Sequence, residues 1–182
     1  MRLLVSVDMT APEKAERRKA DPGSDIVIGS PSVADGVRMW ELAVASGVLD
    51  AKPRYAYALW CRDFAQTSVV ARRDGDVVGY VTGYMRPEAP TTVFVWQVCV
   101  SSAAQGAGVG GRMLDAVFAA APGADRMETT ITPDNESSIA LFTAFAKRQG
   151  LTIDNTELFG RDLLGDEHEP EFLYSIRPAI KG

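Results

Sequence analysis

"VCVSSAAQGAGVGGRML", Val98–Leu114, joins an apolar run to an amphipathic one through glycines at every second position, Gly106, Gly108 and Gly110. Upstream, "TTVFVWQVCV" (91–100) is an unbroken series of β-branched and aromatic residues, which predicts a central strand covered on both faces. Downstream, Met113, Leu114, Val117 and Phe118 recur at helical spacing, and Pro122-Gly123 ends the helix. The order is therefore strand, glycine loop, helix. Amides in the first turn of a helix have no intrahelical partner and carry the positive end of its dipole, so they attract a phosphate. A Cβ at Gly106, Gly108 or Gly110 would block either an unusual backbone angle or the approach of a diphosphate. Glycines also make plain flexible turns, and only the flanking strand and helix favour the anion loop. The segment reads Gly-x-Gly-x-Gly-Gly, not G-x-G-x-x-G, and the chain has too few strand-helix-strand units for a Rossmann fold.

Working outward, "TSVVARRDGDVVGYVTGYM" sets Val69, Val70 and Ala71 against Val77, Val78, Tyr80 and Val81 around Asp74-Gly75, a tight hairpin. Before it, "DIVIGSPSVADGVRMWELAVAS" reads as a short strand ending near Gly29, then a helix capped by Ser32 with Val33, Val37, Trp40, Leu42 and Val44 on its apolar side. A loop holding Asp50 and Pro53 leads to a second helix carrying Tyr55, Leu59 and Phe64. After the glycine loop come a strand in "DRMETTITP", a helix in "DNESSIALFTAFAKRQG" with an acidic start and a Lys-Arg end, and a last strand in "EFLYSIRP". The fold class is α/β (α+β): a mixed, mostly antiparallel central sheet with helices on both faces.

Composition narrows the function. The 182 residues, 46% of them hydrophobic, suit one domain over 25–180. Residues 1–24, rich in charge, Ala and Pro, read as a disordered arm. A net charge of -5 offers no basic face, which argues against nucleic acid as a partner. No apolar run reaches the roughly 20 residues of a membrane span, and the opening "MRLLVSVDMT" lacks the build of a secretory signal, so a cytoplasmic location is expected. Cys61 and Cys99 lie in apolar stretches without metal-ligand spacing, and His168 is the one histidine; neither zinc nor a Ser-His-Asp triad is expected.

The segment Gln105–Gly110, Gln-x-x-Gly-x-Gly after a buried strand and before a helix, resembles the coenzyme A pyrophosphate element of the GCN5-related N-acetyltransferase family. The resemblance implies acetyl-CoA as co-substrate, with the amides of Gln105, Gly106, Ala107, Gly108, Val109 and Gly110 around the pyrophosphate. It implies a cleft where the strand before the loop splays from its neighbour and Val98–Val100 pair with the pantetheine arm. Asn135 and Phe142 match the family's Asn and aromatic positions on the later helix, also on the cofactor side. Many members carry a Tyr where Phe142 stands, so here another group or water protonates the thiolate, or it leaves unprotonated.

"LDAKPRYAYALWCRDFAQTSVVARRDGDVVGYVTGY", "FVWQVCV", "METTITPDN", "ELFG" and "HEPEFLY", in this order, are more narrowly similar to the L-2,4-diaminobutyrate acetyltransferases of ectoine synthesis. This resemblance implies acetyl transfer to the γ-amine of diaminobutyrate and a homodimer. A primary alkylammonium with a pKa of roughly 10.4 costs about 4–5 kcal/mol to neutralise at pH 7, so the site must bind a cation and then take its proton. Asp50 and Glu128 lie in matching stretches and are the expected carboxylates, although a turn residue and a solvated strand position would look the same. Trp96, Tyr55, Thr130 and His168 are expected around the substrate. A backbone N–H of Val98 or Cys99 is expected to stabilise the oxyanion during direct attack; Cys99 as an acyl-carrying nucleophile is the rival mechanism. Another amine or polyamine acceptor, or a non-catalytic acyl-CoA sensor, fits the same cofactor loop.

Overall fold

The computed structural model describes residues 26–47, 49 and 51–179. The arm expected over 1–24 lies outside them, as does Asp50. The chain runs β1 (Val27–Gly29), α1 (Asp35–Ser46), α2 (Arg54–Asp63), β2 (Val69–Arg73), β3 (Asp76–Arg86), β4 (Ala89–Val100), α3 (Val109–Ala120), β5 (Arg126–Ile131), α4 (Glu136–Gln149), β6 (Thr152–Phe159), α5 (Arg161–Leu164) and β7 (Glu171–Arg177). The seven strands form one sheet in the order β1-β2-β3-β4-β5-β7-β6, and only β4 and β5 run parallel.

The expected hairpin is present: Val69 pairs with Val81 and Val70 with Tyr80, and the turn residues Asp74 and Gly75 both have positive φ, 52° and 86°. Alternation divides these strands between two cores. Val69, Ala71 and Val81 face α3 and α4, with Met113, Leu114, Val117 and Phe145. Val70, Val77 and Tyr80 face α1 and α2, with Met39, Leu42, Tyr57 and Cys61. The second layer stops at β4, so the half of the sheet made by β5, β7 and β6 carries partly exposed side chains on that face, among them Glu128, Thr130 and Ser175.

Three expectations change. Helix α1 buries Met39, Leu42 and Ala43, whereas Val33, Val37 and Val44 are about half exposed. Its contact surface is set by a close crossing over α2, where a Cβ on Gly36 would fall 2.9 Å from the backbone nitrogen of Ala58. Ser32 does not cap α1 as an acceptor: its N–H and hydroxyl both donate to Asp35 Oδ2, at 2.6 and 2.8 Å, and Arg72 grips the same carboxylate from β2. Strand β6, between the last predicted helix and the last predicted strand, has no counterpart in the sequence reading. It is an edge strand whose residues are nearly all exposed, so it shows no apolar alternation.

Candidate active site

The sheet opens at one point. Parallel pairing of β4 with β5 ends at Val95–Thr129, after which β5 continues only with β7 and β4 only with β3. The cause is a bulge. Thr82 and Gly83 are consecutive on β3 but face Gln97 and Val95 on β4, so Trp96 is an extra residue that bends β4 away from β5. Ladder phase decides which amides face the resulting gap. Ser101 N–H donates to Val78 O at 2.8 Å, and two residues back Cys99 opposes Tyr80 in the same phase. Antiparallel alternation then turns the backbone of Val98 and Val100 toward the gap. Val100 O accordingly accepts from the Gln105 side chain, at 3.3 Å, instead of from β3. The sequence left Val98 and Cys99 as equal oxyanion donors; the register commits the Cys99 amide to β3 and leaves Val98's.

At the end of the gap stands the glycine loop. Gly106 and Gly108 have φ of 79° and 68°, and a Cβ on either would meet nothing within 4 Å, so these residues are glycine for backbone angle and open approach. Gly108 caps α3 without any side-chain hydrogen bond to its first-turn amides. Where β4 meets the loop, Ser101 Oγ is buried with no partner among the described residues. An extended acyl carrier with a diphosphate fits this arrangement: strand backbone along the gap, then bare helix amides at its end. Gly110 differs from its neighbours; its φ is helical, and a Cβ there would touch Leu141 at 3.4 Å. Val109 is buried beneath the loop, and Ala107 is exposed on it. Asn135 caps α4, its side chain accepting from Ser138 N–H at 3.1 Å, and Phe142 is 2% exposed in the core.

On the α2 side of the gap, Trp96 is 44% exposed and packs against Trp60 with ring centroids 4.4 Å apart. Tyr84 joins Trp60 to Phe94. Below them Glu128, opposite Phe94, receives Arg86 at 2.6 Å and Ser175 Oγ at 3.5 Å. The hydroxyls of Tyr57 and Tyr80 both donate to Gln97 Oε1, at 3.3 and 3.1 Å. Burial holds the Tyr80 phenol far above its ordinary range, so it keeps the proton it donates. Burial also raises both thiols, Cys61 and Cys99, to about 11. Cys99 Sγ points at Leu42 O beneath α1, and a thiol so buried is not an acyl carrier at neutral pH.

The sequence-predicted residues thus separate. Val98, Val100, the loop 105–110, Trp96, Glu128 and Thr130 border one gap, Thr130 lying just past the last β4–β5 pair. Tyr55 is 75% exposed on α2, while Tyr57, two residues on and so across the helix, turns inward. His168 is exposed in the turn after α5, with Nδ1 2.6 Å from Glu169 O. Asp50 lies outside the described residues. Sequence reasoning passed over Arg86, Trp60, Thr82 and Gln97; the last two carried a signal, as polar residues inside the apolar strands "YVTGY" and "VWQVCV". Among the described residues no three His, Cys, Asp or Glu cluster as metal ligands, and no helix is long and apolar enough to cross a membrane.

Residues 35–146 match the model of the acetyltransferase (GNAT) family. The chain is 44% identical over 177 residues to the L-2,4-diaminobutyric acid acetyltransferase of Nocardia farcinica, covering 96% of this chain and 92% of that protein. It is 38% identical over 176 residues to the enzyme of the same name from Halomonas elongata, covering 95% and 92%. Among solved structures, diaminobutyrate acetyltransferase EctA from Paenibacillus lautus, in complex with L-2,4-diaminobutyric acid and coenzyme A, superposes with a TM-score of 0.82 at 34% identity over 88% of this chain and 99% of that one. Ard1 from Thermoplasma volcanium, 18% identical with a TM-score of 0.68, shares the fold.

Proposed function

The chain belongs to the acetyltransferase (GNAT) family, and from that premise we propose that it moves the acetyl group of acetyl-CoA to the γ-amine of L-2,4-diaminobutyrate. The observation that carries this reading is the gap between β4 and β5. It offers the inward backbone of Val98 and Val100 and ends on the uncapped first turn of α3, in a chain similar over 88% of its length to a structure holding both ligands.

Acetyl-CoA supplies an activated thioester. The amides of Gln105 to Gly110 receive its diphosphate, and Val98 and Val100 pair with its pantetheine arm. The Val98 N–H then faces the thioester carbonyl and stabilises the oxyanion as the amine nitrogen attacks, a fixed donor that needs no reorganisation. The C–S bond breaks as the amide forms, so no covalent enzyme intermediate arises. Glu128 binds the cationic acceptor together with Asp50, and one of the two takes the ammonium proton. Arg86 already pairs with Glu128, at 2.6 Å, so the proton is assigned to Asp50. Trp96 walls the acceptor, with Tyr55, Thr130 and His168 toward its amino-acid end. Phe142 carries no hydroxyl, so the thiolate departs to water or unprotonated, at little cost for a thiol of pKa about 8.5. A cytoplasmic homodimer belongs to the same reading; light scattering on the purified protein reads the mass.

The test is to incubate the purified protein with acetyl-CoA and diaminobutyrate, follow free thiol, and locate the acetyl group by NMR. Thiol release with acetylation at the γ-nitrogen is expected. Absence of release, or α-acetylation, overturns the assignment. Cys99→Ala is expected to keep near-normal turnover.

A further inference from the structure

One buried polar atom near the gap has no task in this mechanism. Thr82, on β3 opposite Gln97, is 3% exposed, and its Oγ1 has no hydrogen-bond partner among the described residues. A valine would fill the same volume without burying an unpaired hydroxyl. Thr82 also lines a small pocket together with Tyr57, Trp60, Trp96, Gln97 and Lys52. Trp96 is shared between this pocket and the gap, since it is the bulged residue at which β4 leaves β5.

The walls define what the pocket takes. Tyr57 and Tyr80 both give their protons to Gln97, so the oxygen of Tyr57 presents lone pairs to the pocket, and the idle Thr82 hydroxyl can do the same. The remaining wall is ring surface, from Trp60 and Trp96 at 4.4 Å. Neutral acceptors and π faces suit a small group rich in N–H donors. Among the described residues no carboxylate lines the pocket, and Lys52 forms part of its wall.

We propose that Thr82 is a substrate-contacting specificity residue whose hydroxyl accepts from the reacting primary amine of the acceptor and seats it beside Trp96. The inference rests on the acetyl-transfer reading for the identity of the acceptor, but its test is independent of turnover. Diaminobutyrate is titrated calorimetrically into wild type, Thr82→Val and Thr82→Ser, each saturated with coenzyme A, and acetyl transfer is assayed in parallel. Thr82→Val should melt no lower than wild type, because the lost hydroxyl had no partner, and should bind coenzyme A within twofold. Its affinity for diaminobutyrate should fall about tenfold or more, the loss expected for one hydrogen bond to a polar ligand, while Thr82→Ser stays close to wild type. Thr82→Ala reads the same contact if the valine variant does not fold. Diaminobutyrate binding within twofold of wild type in the variants lacking the hydroxyl overturns the proposal, as does absence of binding to wild type. Binding that differs as expected in a protein that acetylates nothing would leave Thr82 in place and overturn the catalytic reading alone.

Discussion

Helices α3 and α4 pack on the same face of the sheet, against each other, yet their N-termini are finished in opposite ways. Asn135 closes α4 with a side-chain bond to Ser138 N–H, and Glu136 adds negative charge to its first turn. Gly108 starts α3 with no side-chain bond and no acidic residue in the first turn. Two helix dipoles of similar strength are thus treated differently: one is satisfied by the chain itself, the other is left for something else. The open end is also the one that meets the β4–β5 gap. Helices α1 and α2 also start without a side-chain cap, so what sets the α3 entrance apart is its place at the gap and the positive-φ glycines before it. The most forceful way to break the contrast is to place a carboxylate there. Gly108→Asp sets a negative charge at the α3 entrance and is expected to weaken coenzyme A binding at least about 100-fold, roughly 2.7 kcal/mol, by calorimetry. Unchanged affinity would detach the loop from cofactor binding.

Helix α1 supplies a third kind of beginning: it has no side-chain cap, and the carboxylate in its first turn is held by Ser32 and by a cation. Hydrogen bonding from Arg72, then from Ser32, lowers Asp35 from 3.8 to about 2, against the burial that raises it. A carboxyl depressed in the folded state contributes stability that is full above its unfolded value and disappears as pH falls through its folded one. Asp35 should therefore contribute about 2 kcal/mol at neutral pH, lost between roughly pH 4 and pH 2. Circular dichroism of urea unfolding across that range should show the loss. Asp35→Asn should lower stability at pH 7 and flatten the acid limb, and an unaltered acid limb would mean that the pair contributes nothing net.

These three starts were not equally readable in the sequence. The acidic opening of α4 was readable locally, though not Asn135 as its cap, and the glycine loop shows its pattern within six residues. Asp35 closes on Arg72, 37 residues away, and Glu128 on Arg86, 42 away; such pairs exist only once the sheet is assembled. The hairpin at Asp74-Gly75 was legible because turn geometry and alternation agree, whereas β6 was not, because an exposed edge strand needs no apolar face. The gap followed from the family resemblance, but the bulge at Trp96 that makes it, and the phase that frees Val98 and not Cys99, are matters of register between β3 and β4 that no composition rule reports.

A milder perturbation acts on the closed end. Asn135→Ala removes the acceptor for Ser138 N–H and should cost about 1 kcal/mol in denaturant unfolding, the usual loss for a helix cap. If α4 is self-satisfied, coenzyme A affinity should stay within twofold. A large loss of affinity with little loss of stability would instead give Asn135 a direct part in cofactor binding and erase the contrast between the two helices.

The smallest expected effect separates the glycines from one another. Gly106 and Gly108 sit at positive φ under open space, but Gly110 is helical, and a methyl there meets Leu141 at 3.4 Å, an ordinary contact. Gly110→Ala keeps the backbone amide that a diphosphate would use and removes only backbone freedom. Helix propensity then favours the variant by up to about 1 kcal/mol, less whatever Leu141 must yield. Melting temperature should hold or rise slightly, with coenzyme A affinity within twofold. A substantial loss of affinity would mean that the ligand lies against the Cα of Gly110 itself, deeper along α3 than an opening at Gly106 and Gly108 implies, and the boundary of the bare helix end would move about half a turn inward.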